Sequence, residues 1–203
     1  MSLEKQVRRI RACRICAEAR HKPLPHAPRP VLQASGSART LIAGQAPGAR
    51  AHESGRPFTD PSGVRLRAWL GVDEAAFHDA RCFAILPMGF CFPGHDRAGG
   101  DLPPRPECAP AWRASLLADM AQVELVVCLG AHAMRWHMGD LFTGSVDEAV
   151  RGWRQALCLR PAVVPLPHPS WRNSGWLKRN PWFSGELLPE LKRRVAALLP
   201  PAA

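Results

Sequence analysis

The sequence predicts an α/β fold with three layers, α/β/α, in which helices flank a central, mainly parallel four-stranded sheet. Three observations carry this prediction. Four short apolar runs, TLIAG (40–44), CFAILPM (82–88), VELVVCLG (123–130) and AVVPLPH (162–168), alternate with helix-like segments, as a parallel sheet with crossover helices requires. Apolar residues make up 46% of the 203 residues and charged residues 22%, enough to cover such a sheet within a single domain spanning 1–203. No internal repeat or low-complexity tract interrupts the pattern.

Taken in order, residues 3–12 read as a short basic helix, followed by the C-x2-C pair of Cys13 and Cys16 and a Pro-rich connector over 23–30. The first strand closes on a Gly-rich turn at 44–48. Ser62 is the expected cap of a helix through VRLRAWLG, stopped by Gly71. After the second strand a loop rich in Gly and Pro runs over 89–106. APAWRASLLADM (109–120) reads as a helix, VELVVCLG as the third strand and AHAMRWHM (131–138) as another helix. The prolines of AVVPLPH suggest that the last strand is an edge or exits the sheet early. ELLPELKRRVAALL (186–199) closes the chain as a helix.

Charge narrows the function class. Lys and Arg number 27 against 17 Asp and Glu, a net charge of +10, which favours a polyanionic partner such as nucleic acid. No apolar run reaches the roughly 18 residues of a membrane span. The N-terminus lacks the apolar stretch of a signal peptide, so a cytoplasmic protein is expected, nucleoid-associated if the cell is bacterial. In that compartment seven cysteines make a disulfide framework unexpected. Cys82, Cys128 and Cys158 lie in apolar stretches and read as core. Cys13, Cys16, Cys91 and Cys108 lie beside Pro, Gly and charge, where core packing explains them poorly. Four thiolates suit either an iron–sulfur cluster or structural zinc, and spacing does not separate the two.

In a parallel sheet the loops at the carboxyl ends of the strands line the ligand crevice. Here these are GQAPGARAHESGRPFTDPSG after the first strand, residues 87–91 after the second, and PHPSWRN after the last. The first lacks the lysine of a phosphate-cradling loop and the spacing of a dinucleotide fingerprint. The joint occurrence of GQAPG, GRPFTDPSG and HPSWRN, in this order and strand context, resembles the uracil-DNA glycosylase superfamily, closest to its iron–sulfur, thermophile-type branches. The HPSWRN segment is similar to the second motif of the single-strand-selective branch.

The resemblance implies a monofunctional DNA-repair glycosylase that hydrolyses uracil from single- or double-stranded DNA, releasing free uracil and leaving an abasic site. It also implies a monomer without membrane association, and a [4Fe–4S] cluster held by Cys13, Cys16, Cys91 and Cys108, with structural zinc as the alternative. The cluster would tie residues 1–30 to the 91–108 loop. His168 would donate to the uracil O2, where charge develops as the base departs. Phe58 would stack on the flipped ring, and Gln45 and Ala46 would hold a carbonyl and the attacking water. Asn173 is a further candidate for base contact.

Two departures from the family pattern matter. Ala46 stands where the best-known branch has a catalytic Asp, leaving Asp60 as the candidate carboxylate, with Glu53 and His52 nearby. Asp60 also reads as a cap for the turn before Pro61. Pro87 stands four residues before Cys91, where the iron–sulfur branches place a base-reading Asn, so recognition falls to backbone groups of residues 86–90, Gln45 or Asn173. This opens the site to other deaminated bases such as hypoxanthine. With no Tyr in the chain, Gly48 occupies the position of the ring that blocks thymine in one branch. Beyond His168, Ser170, Trp171, Arg172, Lys178 and Arg179 are the expected DNA contacts, with Trp171 or Arg172 as a wedge. Trp182 and Phe183 read as core. The alternative from another class is a non-catalytic binder of uracil-containing or abasic DNA.

Overall fold

The computed structural model describes residues 2–201; Met1 and residues 202–203 of the expected domain lie outside that span. Strands β1 (Thr40–Ala43), β2 (Phe83–Ile85), β3 (Leu125–Leu129) and β4 (Ala162–Leu166) form one all-parallel sheet in the order β2-β1-β3-β4. Every strand residue is buried, so both faces of the sheet are covered, as a parallel sheet demands. β4 is an edge strand, which lets Pro165 stand opposite Cys128 without robbing a further neighbour of a donor.

Helix α1 (Leu3–Arg11) buries Ile10 and packs on the later helix α5 (Cys108–Ala118), which buries Leu116. After β1 come α2 (Ala49–Ser54), α3 (Pro61–Leu70) and α4 (Glu74–His78). α6 (Ala131–Met138) packs on β3, while α7 (Val146–Arg151) and α8 (Trp153–Ala156) pack on β4. α9 (Ser174–Arg179) leads to a π-turn at Phe183–Leu187 and to α10 (Leu188–Leu198), which lies against α3. Phe183 is fully buried against Trp69, with ring centroids 5.1 Å apart, whereas Trp182 is half-buried. Among the described residues no helix is long and apolar enough to cross a membrane.

Three expectations need correction. The cap of α3 is Asp60 rather than Ser62, because Pro61 supplies the preset φ of the first helical position and the Asp60 carboxylate accepts from Gly63 N–H at 3.1 Å. The second strand is shorter than 82–88, since Pro87 cannot donate to a ladder. Cys158 is exposed in the turn after α8 rather than in the core.

Candidate active site

The loop leaving β1 is zipped to the loop leaving β2: Met88 N–H donates to Gly44 O (2.8 Å) and Gly89 N–H to Gln45 O (2.9 Å). The Gln45 amide donates to Leu102 O at 2.9 Å and so fixes the 92–106 loop over the same turn. The N–H groups of Ala46 and Gly48 have no acceptor among the described residues and are open to a ligand. Phe58 follows with a φ of 56°, a strained conformation for an aromatic residue. What holds it is α3. A methyl group on Gly63 would lie 1.9 Å from Phe58 O, so this close approach of the two backbones requires glycine. The Phe58 ring meets Phe77 edge-on, with centroids 5.9 Å apart, and its tip lies over Gly44.

The loop leaving β4 carries His168 between Pro167 and Pro169. Its imidazole opens onto solvent, yet the protein atoms massed around it desolvate it and push its pKa down, while the nearby Asp60 and Asp101 carboxylates pull the other way. The loop is braced from within and from α3. Asn173 Nδ2 donates to His168 O (2.7 Å), Ser170 Oγ accepts from Arg172 N–H (3.1 Å), and Arg65 Nη1 donates to Ser170 O (2.8 Å). Trp171 projects from this brace with 75% of its surface exposed and the Arg172 guanidinium 5.9 Å from its ring.

These loops enclose one cleft of about 740 Å³ at the carboxyl ends of the strands, large enough for a base with its sugar. Gln45, Ala46, Gly48, Phe58, Asp60, His168, Ser170, Trp171, Arg172 and Asn173 all line it. Lys178 and Arg179 do not; they stand exposed on α9, just beyond the rim loop. His52 and Glu53 do not line it either, because α2 turns them away, and His52 packs on His26 (4.3 Å between centroids) and Phe92.

The wall after β2 differs most from expectation. Leu86 N–H donates to Ile42 O, Met88 and Gly89 to the first loop, and Phe90 to Cys108 Sγ (3.3 Å), while Pro87 has no donor. The backbone N–H groups of residues 86–90 are therefore not available to read a base, which leaves only carbonyls among the backbone groups expected there. The carbonyls of Leu86 and Pro87 are held from behind by Arg113 Nη1, at 2.9 and 3.2 Å. Sequence reasoning missed Arg113, whose helix gives no sign that a guanidinium faces inward. It also missed the cleft residues Arg50, Arg65 and Asp101, the last because its loop read only as rich in Gly and Pro.

Apart from the cleft, Cys13, Cys16, Cys91 and Cys108 line one small cavity with Ile10, Leu24 and Trp112. Burial pushes Cys91 up to about 11 and Cys108 to about 12, and raises Cys16, with the neighbouring cysteines adding to the shift. Such crowded apolar thiols give up their protons to a metal far more readily than to water. Among the described residues no three His, Cys, Asp or Glu are grouped as ligands of a single ion. Four cysteines lining one cavity are a donor set known for both [4Fe–4S] clusters and structural zinc. By residue type they fit either group.

The family model described as the uracil DNA glycosylase superfamily matches residues 32–192, which take in the whole sheet and all the cleft loops but not Cys13 and Cys16. With the fold, the two motif loops and this match in agreement, the chain belongs to the uracil-DNA glycosylase superfamily.

Proposed function

We propose that the protein is a monofunctional DNA glycosylase that hydrolyses the N-glycosidic bond of uracil in DNA and leaves an abasic site. The observation that carries this reading is the convergence of Phe58, Asp60, His168 and the open N–H groups of Ala46 and Gly48 on one cleft with an exposed tryptophan at its rim. An enzyme acting on a base must take it out of the stack, and Trp171 suits the wedge that fills the gap. The extruded ring stacks on Phe58. His168, neutral because its pKa is lowered, donates to the uracil O2 as the C1′–N1 electron pair moves onto the base. Asp60 faces the positive charge developing at the sugar. Water adds at C1′ and its proton passes to a carboxylate of the cleft. No lysine lines the cleft among the described residues, which favours water over a Schiff-base nucleophile. Arg172, Lys178 and Arg179 suit phosphate contacts.

We further propose that Cys13, Cys16, Cys91 and Cys108 hold a [4Fe–4S] cluster. When bound it supplies a covalent tie between the N-terminal arm and the loop that bears Asp101, with no electron transfer required. Reconstituted protein should absorb near 400 nm, and Cys91→Ser should lose that band; a colourless protein with stoichiometric zinc would favour the alternative.

The spent donors of residues 86–90 favour a second reading of base choice, in which hypoxanthine is also released. End-labelled oligonucleotides carrying one uracil (single-stranded, U:G and U:A) or one hypoxanthine, treated with hot alkali, test both readings together. Strand breaks at uracil support the enzyme, and breaks at hypoxanthine show the wider choice. DNA that is retained but uncut at every base would make the protein a binder rather than a glycosylase.

A further inference from the structure

Asp60 and Asp101 are the only carboxylates lining the cleft among the described residues. In a chain of net charge +10 that engages a polyanion, each costs affinity by repelling phosphate. Asp60 has a structural task, since it caps α3 and one of its oxygens is committed to Gly63 N–H. Asp101 has no such task at a helix end.

The loop bearing Asp101 is built rather than slack. Residues His95 and Asp101 form an antiparallel bridge, Asp96 N–H donates to Gly100 O (2.8 Å), and Leu102 N–H donates to Gly94 O (2.9 Å). The Asp96 carboxylate accepts from Ala98 and Gly100 N–H across the turn, and Gly94 and Gly99 take the positive φ values it needs. From the other side, Gln45 Nε2 holds Leu102 O. The hairpin thus delivers Asp101 against the loop that follows β1. One carboxylate oxygen, Oδ1, is anchored 3.1 Å from His95 Nδ1. The other, Oδ2, has no hydrogen-bond donor among the described residues and lies where a methyl group on Gly48 would be 3.5 Å away. That is two residues along the chain from Ala46, whose methyl side chain can take no proton. Asp101 and His168 line the same cleft, and the Asp101 charge reaches the imidazole.

We propose that Asp101 is a catalytic residue of this site, the carboxylate that orients the hydrolytic water and takes its proton. The inference rests on the glycosylase reading above. In the step it describes, the C1′–N1 bond breaks with its electron pair leaving on the base, and the water oxygen bonds C1′. The released proton goes to Asp101 Oδ2 and from there to solvent or to the departing base anion. Atoms and charge balance without any other reactant. Such a group contributes on the order of 100- to 10,000-fold.

The test compares wild-type holoprotein with Asp101→Asn, Asp60→Asn and His95→Gln in single-turnover excision at saturating enzyme. Affinity is measured in parallel on DNA bearing a tetrahydrofuran abasic analogue. For D101N we expect excision to fall at least 100-fold while the analogue binds equally or several-fold more tightly, because a negative charge has left the cleft. H95Q should lose far less than D101N, because the backbone bridge still holds the hairpin and the glutamine amide can still donate to Asp101 Oδ1. Excision by D101N within three-fold of wild type overturns the proposal and leaves the glycosylase reading intact, with D60N then locating the acceptor. A joint loss of rate and affinity in D101N, reproduced by H95Q, overturns it in favour of a purely structural hairpin. Wild-type protein that frees neither uracil nor hypoxanthine removes the glycosylase reading itself, and the proposal with it.

Discussion

Acid should destabilise this protein through one buried contact, between Arg113 and His137. Arg113 is fully buried, and its Nη2 lies 2.6 Å from His137 Nε2. A guanidinium can only donate, so His137 must accept with Nε2 and stay neutral. Burial, and secondarily the Arg113 charge, hold its pKa near 3 against an ordinary 6.5. Between those values the unfolded chain binds a proton that the folded one refuses, so stability falls as pH falls below 6.5. For a group titrating at 6.5 only when unfolded, lowering the pH from 8 to 5 costs RT ln(1 + 10^1.5), about 2 kcal/mol. For a protein of this size that corresponds to roughly 4–8 °C in Tm. The variant His137→Gln keeps an acceptor for Arg113 and has nothing to titrate. Its Tm deficit relative to wild type should therefore shrink by about that amount between pH 8 and pH 5, followed by tryptophan fluorescence. The pKa values of His52, His78, His132 and His168 are also pushed down, but they act on both proteins and cancel in the difference. A deficit that is the same at both pH values would refute a neutral, Arg113-bound His137.

Three further outcomes follow from the site. Gly63→Ala should cost about 3 kcal/mol or more, because its methyl group meets backbone rather than a flexible side chain, and thermal melts together with excision assays should show both stability and activity falling as Phe58 is displaced. His168→Asn should slow single-turnover excision by about 100- to 1,000-fold while DNA affinity stays within a few-fold, since the lost donor acts on the departing base rather than on the phosphates. Trp171→Ala should weaken excision from duplex more than from single strands, because only the duplex needs its gap filled; equal losses on both substrates would make Trp171 a general DNA contact.

The sheet was legible because each strand is an apolar run too short for a helix and bounded by Gly or Pro, and of the two readings its prolines allowed, edge or early exit, β4 takes the edge. The motif loops were legible for a related reason: crevice loops follow strand ends, so finding the strands finds the loops. The five helices of four to six residues, α2, α4, α7, α8 and α9, were not seen, because one turn and a half shows no period. Asp60 and Ser62 compete for one cap in sequence, and only the geometry of Pro61 decides between them. Asp101 was hidden because Gly and Pro mark a loop without saying whether it is slack. The cue was present in Asp96-Arg97-Ala98-Gly99-Gly100, an aspartate followed by glycines, which is how a hydrogen-bonded turn is written. Arg113 left no cue at all, since charge in a helix ordinarily signals solvent and its three partners come from residues 24 to 27 positions away.

Arg113 bears on how this cleft chooses its base. Its guanidinium is drawn down to about 10 by burial, a standing cost offset by hydrogen bonds to Leu86 O, Pro87 O and His137. The effect is to fix the backbone after β2 and to engage its carbonyls from the side away from the cleft, while the N–H groups of that segment are spent on neighbouring loops. A wall in that state offers a base no backbone donor. It can limit the size of a ring, but with no donor to offer it cannot reward a keto oxygen over an amino group. On the proposed function, donors to a keto oxygen would come from the opposite side, from the Ala46 and Gly48 N–H groups and from His168, which lie on the loops after β1 and β4. Those loops would then hold the base at the same place where the bond breaks, so selectivity would be expressed in the rate of cleavage more than in the affinity for intact DNA.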